Sequence, residues 1–361
     1  MPQSQEGKEV CDTKTESNQT ASQPPQEATT LTSKSPHTTT TRQHSNEKKI
    51  HSCDVTSRKS SPLTELFLPT AFLGQLLLPK PNTAKTSTIE SNDQCTVCIS
   101  SMQGWRLTME DTSCLHLTLP NDDTGTMLVG IFDGHGGITI AEYVAKHLHK
   151  FIMKQTEYKD NLKKAIMKGF VDIDMKMKRD RPDDASGCTA ITIFIRNNVL
   201  FCGNLGDSRA IAYENGKLIP LSYDHKPTSP LEYKRIIEAG CWVEAERVNG
   251  SLALSRAFGD FQFKTAHHLR PEQQAVSCSP DIITKKLDKQ WKFIVLACDG
   301  IWEVMSNEKV GDFVKRRLSD GMHLDKICES LMSACLATRT DGTCLGCDNM
   351  TVGIILLKWP E

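Results

Sequence analysis

Seven apolar runs of strand length recur between residues 95 and 357: "CTVCI", "MLVGIF", "TAITIFI", "VLFCGNL", "RAIAYE", "KFIVLAC" and "TVGIILL". They are rich in β-branched residues, which suit a pleated surface. Helical periods lie between some of them. Ile140, Ala141, Val144, Leu148, Phe151 and Ile152 mark one helix. Leu162, Ile166, Phe170, Ile173 and Met177 mark a second. Pro230 opens another that Gly240 closes. Val310, Phe313 and Val314 mark a fourth, and Leu324, Ile327, Cys328, Leu331 and Cys335 a fifth. Strands arriving in runs, with helices in pairs between them, favour an α+β sandwich over a doubly wound sheet.

The 361 residues divide into three parts on this reading. Residues 1–62 are rich in Ser, Thr, Gln and Lys with no apolar period, so burial cannot offset their ordering entropy and a disordered tail is expected. Residues 63–93 form an apolar strap, "LFLPTAFLGQLLLP", and a linker, "PNTAKTSTIESND". The strap is broken by Pro69 and Pro79 and falls short of the roughly 20 apolar residues that span a bilayer. Residues 94–359 form one continuous globular domain.

Lys and Arg number 43 against 44 Asp and Glu, a balance that argues against a general nucleic-acid binder. The N-terminus is polar and carries no secretory pattern. The 14 cysteines are expected to be reduced thiols of a cytoplasmic or nuclear protein. Two CxxC pairs, Cys95/Cys98 and Cys344/Cys347, lie farther apart than in an ordinary zinc ribbon and read first as thiols, with a four-cysteine zinc knot as the alternative.

Acids stand where apolar runs enter or leave the sheet. "GIFDG" ends at Asp133, "IVLACDG" at Asp299 and "FCGNLGD" at Asp207, while Asp348 precedes the last run. One such acid is a turn residue. Several together repel, and a divalent cation removes that penalty. Carboxylate oxygens suit Mg²⁺ or Mn²⁺ rather than zinc. Glycine after Asp133 and Asp299 is expected to allow close backbone approach and a positive φ. His135, two residues beyond Asp133, can supply a proton. Arg106, followed by Glu110 and Asp111, offers a planar fork for an oxyanion. This set points to metal-assisted hydrolysis, with a phosphate ester as the first choice of substrate.

The blocks "SSMQGWRLTMEDT", "GIFDGHGG", "SGCTA", "GNLGDSRA", "DHKPTSPLEYKRIIEAG", "RVNGSLALSRAFGDF", "VLACDGIWEVM" and "DNMTVGIILL" resemble, in order, those of the type 2C family of metal-dependent protein serine/threonine phosphatases. The resemblance implies two antiparallel sheets packed face to face and flanked by pairs of helices. It also implies a site holding two Mg²⁺ or Mn²⁺ ions, with a weaker third. Asp133 would bridge the pair, the Gly134 carbonyl would bind one ion, and Asp299 and Asp348 would bind the other. Glu110 would act through a bound water, Arg106 would hold the substrate phosphate, and His135 would protonate the departing seryl or threonyl oxygen. A water bridging the ions would attack phosphorus directly, without a phosphoenzyme. Asp207 matches the third-ion position and Thr189 lies near its water network. Residues 231–260 resemble a flap beside the cleft, carrying Arg256, for which a substrate role is entertained beside a structural ion pair.

The chain departs from the pattern at Glu303, where Asp is usual, which puts third-ion affinity in question. It stops soon after its last strand, without the C-terminal helical extension of some members, and Pro2 excludes N-myristoylation. Phosphoprotein substrates, no transmembrane segment and a monomer are expected. The rival reading is a non-catalytic scaffold. Such members lose a metal aspartate or the phosphate arginine, and Arg106, Asp133, Asp299 and Asp348 are all present.

Overall fold

The computed structural model describes residues 77–340 and 345–360. The proposed tail, most of the apolar strap and Cys344 lie outside these residues.

Two antiparallel sheets carry the architecture. The first orders β1 (Leu77–Ser91), β2 (Cys95–Arg106), β16 (Met350–Leu357), β15 (Trp291–Ala297), β9 (Arg209–Glu214) and β10 (Lys217–Pro220). The second orders β14 (Asp281–Lys286), β8 (Val199–Leu205), β7 (Ala190–Arg196), β4 (Met127–Phe132) and β3 (Thr112–His116). Short pairs β5 (Gly134–His135), β6 (Gly187–Cys188) and β13 (Phe258–Gly259) form a third sheet. A hairpin joins β11 (Val243–Glu244) to β12 (Arg247–Val248). The helices are α1 (Thr139–Met153), α2 (Leu162–Asp180), α3 (Pro230–Glu238), α4 (Asp299–Trp302), α5 (Asn307–Ser319) and α6 (Leu324–Cys335). None of the described helices is long and apolar enough to cross a membrane.

Side-chain alternation builds four layers from these elements. Along β4, Met127, Val129 and Ile131 point between the sheets, where they meet Val97, Ile99, Ile294, Leu296 and Ile355. Leu128 and Phe132, on the other face of β4, pack under α1 and α2 with Val144, Leu148, Ile166 and Phe170. The outer face of the six-stranded sheet sends Met102, Phe293, Val295 and Ile354 against Val310, Val314, Ile327 and Leu331 of α5 and α6. Cys95 joins the core between the sheets and Cys98 the core under α5 and α6. The two thiols of this CxxC therefore face opposite ways and cannot share one ion.

Strand β1 takes in residues 81–91 of the stretch read as a linker and pairs with β2 from Leu77↔Arg106 to Ser91↔Thr96. It is mostly exposed and polar, so its strand character leaves no apolar period. The pairing shifts register between Leu77 and Lys85, the stretch that holds Pro79 and Pro81, as an edge strand tolerates.

The flap region is tied down by ion pairs. Glu232 of α3 accepts from Arg256 at 2.6 Å and from Arg235 at 2.6 Å, and Ser255 Oγ donates to it at 2.7 Å. Arg256 also donates to Asp281 at 2.8 Å and to the Ser279 carbonyl at 3.0 Å. With Nε donating to Glu232 at 3.1 Å, all three guanidinium nitrogens are engaged, and Arg256 clamps the flap to β14.

Two expectations follow. A chain starting at Asn92 lacks the edge strand and leaves β2, paired only with β16, as a new exposed edge. It should melt several degrees below a chain starting at Leu77, at about 2–4 °C per kcal/mol, and self-associate. Equal melting by calorimetry would show that β1 adds nothing. Burial favours the neutral form of Glu232, yet its hydrogen bonds and the charges of Arg256 and Arg235 win and hold its pKa down at about 2. The ionised form thus stabilises the fold above the unfolded value of about 4.3, and this is lost as pH falls through about 2. Glu232→Gln should cost about 3–5 kcal/mol at pH 7, with the gap to the parent chain narrowing below pH 4 in denaturant titrations.

Candidate active site

Strand registers gather the acids at one end of the sandwich. β15 pairs antiparallel with β16, so Asp299, after β15, and Asp348, before β16, emerge together. β16 pairs with β2 through Met350↔Met102, which brings Arg106 to the same end. In the facing sheet, Thr112↔Phe132 sets Glu110 and Asp111 beside Asp133. Asp207 lies in the turn from β8 to β9, whose Arg209 pairs with Ala297.

The centre of the cluster is crowded and self-repelling, with Asp111 buried and Asp133 and Asp299 half-buried. Asp111, Asp133 and Cys298 each bring a ligand atom within 4.8 Å of the others. Burial pushes Asp133 well above the usual carboxylate range, and Asp299, Asp111, Asp348 and Asp207 push it further. Asp299 is raised likewise, by burial and then by Asp207, Asp348 and Glu303. Burial lifts Asp111 to about 6, against the hydrogen bond that Thr351 Oγ1 donates to it at 2.7 Å. The Cys298 thiol is also pushed up, by burial and by Asp111 and Asp133, so it stays protonated and leaves the donor set to oxygen.

The rim carries the chain's own cations. Arg106 Nη2 donates to Asp348 Oδ2 at 2.5 Å, and Lys226 Nζ donates to Asp207. Glu303 is raised by burial first and by Asp348, with Lys226 opposing, which places it in the same field. Asn349 staples the Arg106–Glu110 turn to the start of β16. It donates to the Gln103 and Thr108 carbonyls at 2.8 and 2.9 Å and accepts from Glu110 N–H at 2.8 Å. Glu110 in turn accepts from Gly137 N–H at 3.3 Å. Thr189 N–H donates to the Asp133 carbonyl at 2.9 Å, and its hydroxyl lies 2.8 Å from Ser208.

The glycines beside the acids have a different reason from the one expected. Gly134 and Gly300 are not among the residues with positive φ. A Cβ on Gly134 would stand 2.5 Å from the Glu110 carbonyl oxygen, and one on Gly300 would stand 2.1 Å from that of Asn349. Close approach of neighbouring backbone, not left-handed geometry, excludes a side chain there.

His135 has a partner that the sequence reading missed. Its Nε2 lies 2.7 Å from Oδ2 of Asp260, a buried residue in left-handed geometry at φ 49°. Burial alone would lower the His135 pKa, but Asp260, with Asp207 and Glu110, outweighs it and raises it, favouring the imidazolium. The pair fits only because position 187 is glycine: a Cβ there would meet Asp260 Oδ2 at 2.2 Å and His135 Nε2 at 2.5 Å. A buried ion pair fixes the Asp260 segment, since Lys264 Nζ reaches Asp174 at 2.9 Å and the Ala257 carbonyl at 2.8 Å. "SRAFGDF" holds Asp260 in the sequence, but an Asp after Gly reads there as a turn. Lys226 was hidden in the same way within "DHKPTSP".

The protein phosphatase 2C family model matches residues 96–344. A probable protein phosphatase 2C of Caenorhabditis elegans is 46% identical over 286 residues, covering 78% of this chain and 80% of the relative. A protein phosphatase 2C homolog of Schizosaccharomyces pombe is 42% identical over 264 residues, covering 71% of each. Among solved structures, a phosphatase of Toxoplasma gondii superposes with a TM-score of 0.64 at 26% identity, covering 76% of this chain and 96% of that one. The chain therefore belongs to the protein phosphatase 2C family, the metal-dependent protein serine/threonine phosphatases.

Proposed function

We propose that this chain, acting as a monomer, hydrolyses phosphoserine and phosphothreonine in proteins by direct attack of water on phosphorus. The observation that carries the reading is the convergence of Asp111, Asp133, Asp299 and Asp348 at one end of the sandwich, set beside Arg106 and the His135–Asp260 pair. The donor set fits hard divalent cations: it is carboxylate oxygen, crowded, and gains most where positive charge is added. Asp133 and the Gly134 carbonyl would hold one Mg²⁺ or Mn²⁺, and Asp133, Asp299 and Asp348 the other. Asp207 and Glu303 would share a weaker third, in place of the Lys226 contact. When bound, such ions make water nucleophilic at neutral pH and draw charge from the phosphoryl oxygens.

The remaining work falls to side chains. Arg106 exchanges Asp348 for two phosphate oxygens, which its planar fork fits. His135, held at Nε2 by Asp260, keeps its other ring nitrogen for the leaving seryl or threonyl oxygen. Glu110 orients the water that approaches phosphorus.

Purified chain should cleave a phosphothreonine peptide with Mn²⁺ or Mg²⁺ and not with EDTA. Asp299→Ala should lower kcat/KM more than about 100-fold with the fold retained by circular dichroism; unchanged turnover would remove the metal assignment. His135→Gln should slow an alkyl phosphate by about 100-fold or more. Asp260→Asn should do so less severely, and both should spare p-nitrophenyl phosphate, whose leaving group needs no proton. Equal slowing of the two substrates would strip the pair of its acid role.

A further inference from the structure

The five-stranded sheet ends at β14, which pairs with β8 and, among the described residues, with no other strand. Its outer edge therefore offers backbone N–H and C=O groups to a further strand. Beside that edge lies a groove of about 390 Å³. Lys163 and Met167 of α2 form one wall, Tyr223 forms another, and Asp281, Ile282 and Ile283 supply the edge itself. The groove is separate from the acid cluster but close to it. Asp281 pairs with Asn204, and Asp207 follows three residues later, roughly 10 Å of extended chain away.

Both the far wall and the edge are held in place. Asn204 Nδ2 donates to the Tyr223 carbonyl at 2.8 Å. Asp281 accepts from Arg256 Nη1 at 2.8 Å and stands 3.2 Å from His225 Nε2. The side chains above are left to solvent: Tyr223 is 66% exposed and Met167 39%. A ring and an adaptable thioether at the rim of a groove suit an apolar side chain from a partner. The charge along the edge has one sign. Lys164 and Lys168 of α2 pair with Glu157, whereas Lys163, Lys285 and Lys286 are exposed and no described carboxylate pairs with them. Ile282 packs against the core under α2, so Lys286, four residues on, shares its face and Lys285 takes the other. Lysines on an edge oppose pairing with a second copy of that edge. They favour a strand that carries acids.

We propose that β14 is a docking edge for an extended, acidic segment of a partner protein. The segment adds to the sheet beside β14 and sets an apolar side chain in the groove against Tyr223 and Met167. Backbone hydrogen bonds supply affinity, the groove selects the apolar residue, and Lys163, Lys285 and Lys286 select the acids. Because the wall and the edge are already fixed, the ordering cost falls on the incoming segment. A phosphoprotein docked there would have its phosphate delivered to the nearby acid cluster. That use rests on the phosphatase reading, whereas the docking itself does not.

The test is fluorescence anisotropy on the full chain in EDTA, where no turnover intervenes. The probe is a short fluorescein-labelled peptide alternating Glu and Val around a central Leu, set against the same peptide with Lys in place of Glu. The acidic peptide should bind and the basic one should not. Lys285→Glu combined with Lys286→Glu should weaken binding about tenfold or more, since opposite-charge cross-strand pairs become like-charge ones. Met167→Glu should weaken it as well. Both variants should hydrolyse p-nitrophenyl phosphate as the parent chain does, and a parent chain without that activity would leave the docking result standing. Amide hydrogen exchange should slow at residues 281–286 when the acidic peptide is bound. No binding of the acidic peptide, equal binding of the two peptides, binding that neither variant weakens, or slowed exchange that spares residues 281–286 overturns the proposal.

Discussion

Repulsion between carboxylates crowded at one end of two packed sheets is the constraint from which the rest of the structure follows. A chain does not bring Asp111, Asp133 and Asp299 together for stability, since burial and like charge both oppose their ionised forms. The arrangement persists because it is imposed from outside the cluster. The core between the sheets fixes β4 against β15 and β16, and the registers of those strands leave the acids no other end to occupy. The cost is local, and the apolar layers that offset it are spread along the whole sandwich.

The same logic explains the supports around His135. An imidazole beside carboxylates could turn toward any of them, which would waste it as a proton donor. Asp260 fixes it at one nitrogen, and Asp260 is itself held by a strained backbone, by the absent side chain of Gly187 and by the buried Asp174–Lys264 pair. Breaking such a pair on one side leaves an uncompensated buried charge, so the segment has little freedom to move. The Glu232–Arg256 clamp, with Arg256 paired to Asp281 as well, does the same for the flap.

What the sequence disclosed divides along a physical line. The seven apolar runs correspond to β2, β4, β7, β8, β9, β15 and β16, which are the interior strands of the two sheets. The strands it concealed, β1, β3, β10 and β14, are the four edges. An interior strand buries both faces and must be apolar, while an edge faces water and is free to read as a loop, as "PNTAKTSTIES" does. The site divides similarly. Asp133, Asp299 and Asp348 were legible because each adjoins an interior strand. Asp260 and Lys226 were not, because they reach the site from irregular segments whose paths depend on tertiary packing.

The distribution of cations within the cluster then says where the chain is self-sufficient. At the rim it supplies its own positive charge, Arg106 to Asp348 and Lys226 to Asp207. At the centre, the strongest influences on Asp133 and Asp299 after burial are other carboxylates. Added positive charge therefore gains most at the centre, while the rim already carries its own. Glu303 stands in the field of both Lys226 and Asp207, on the rim side.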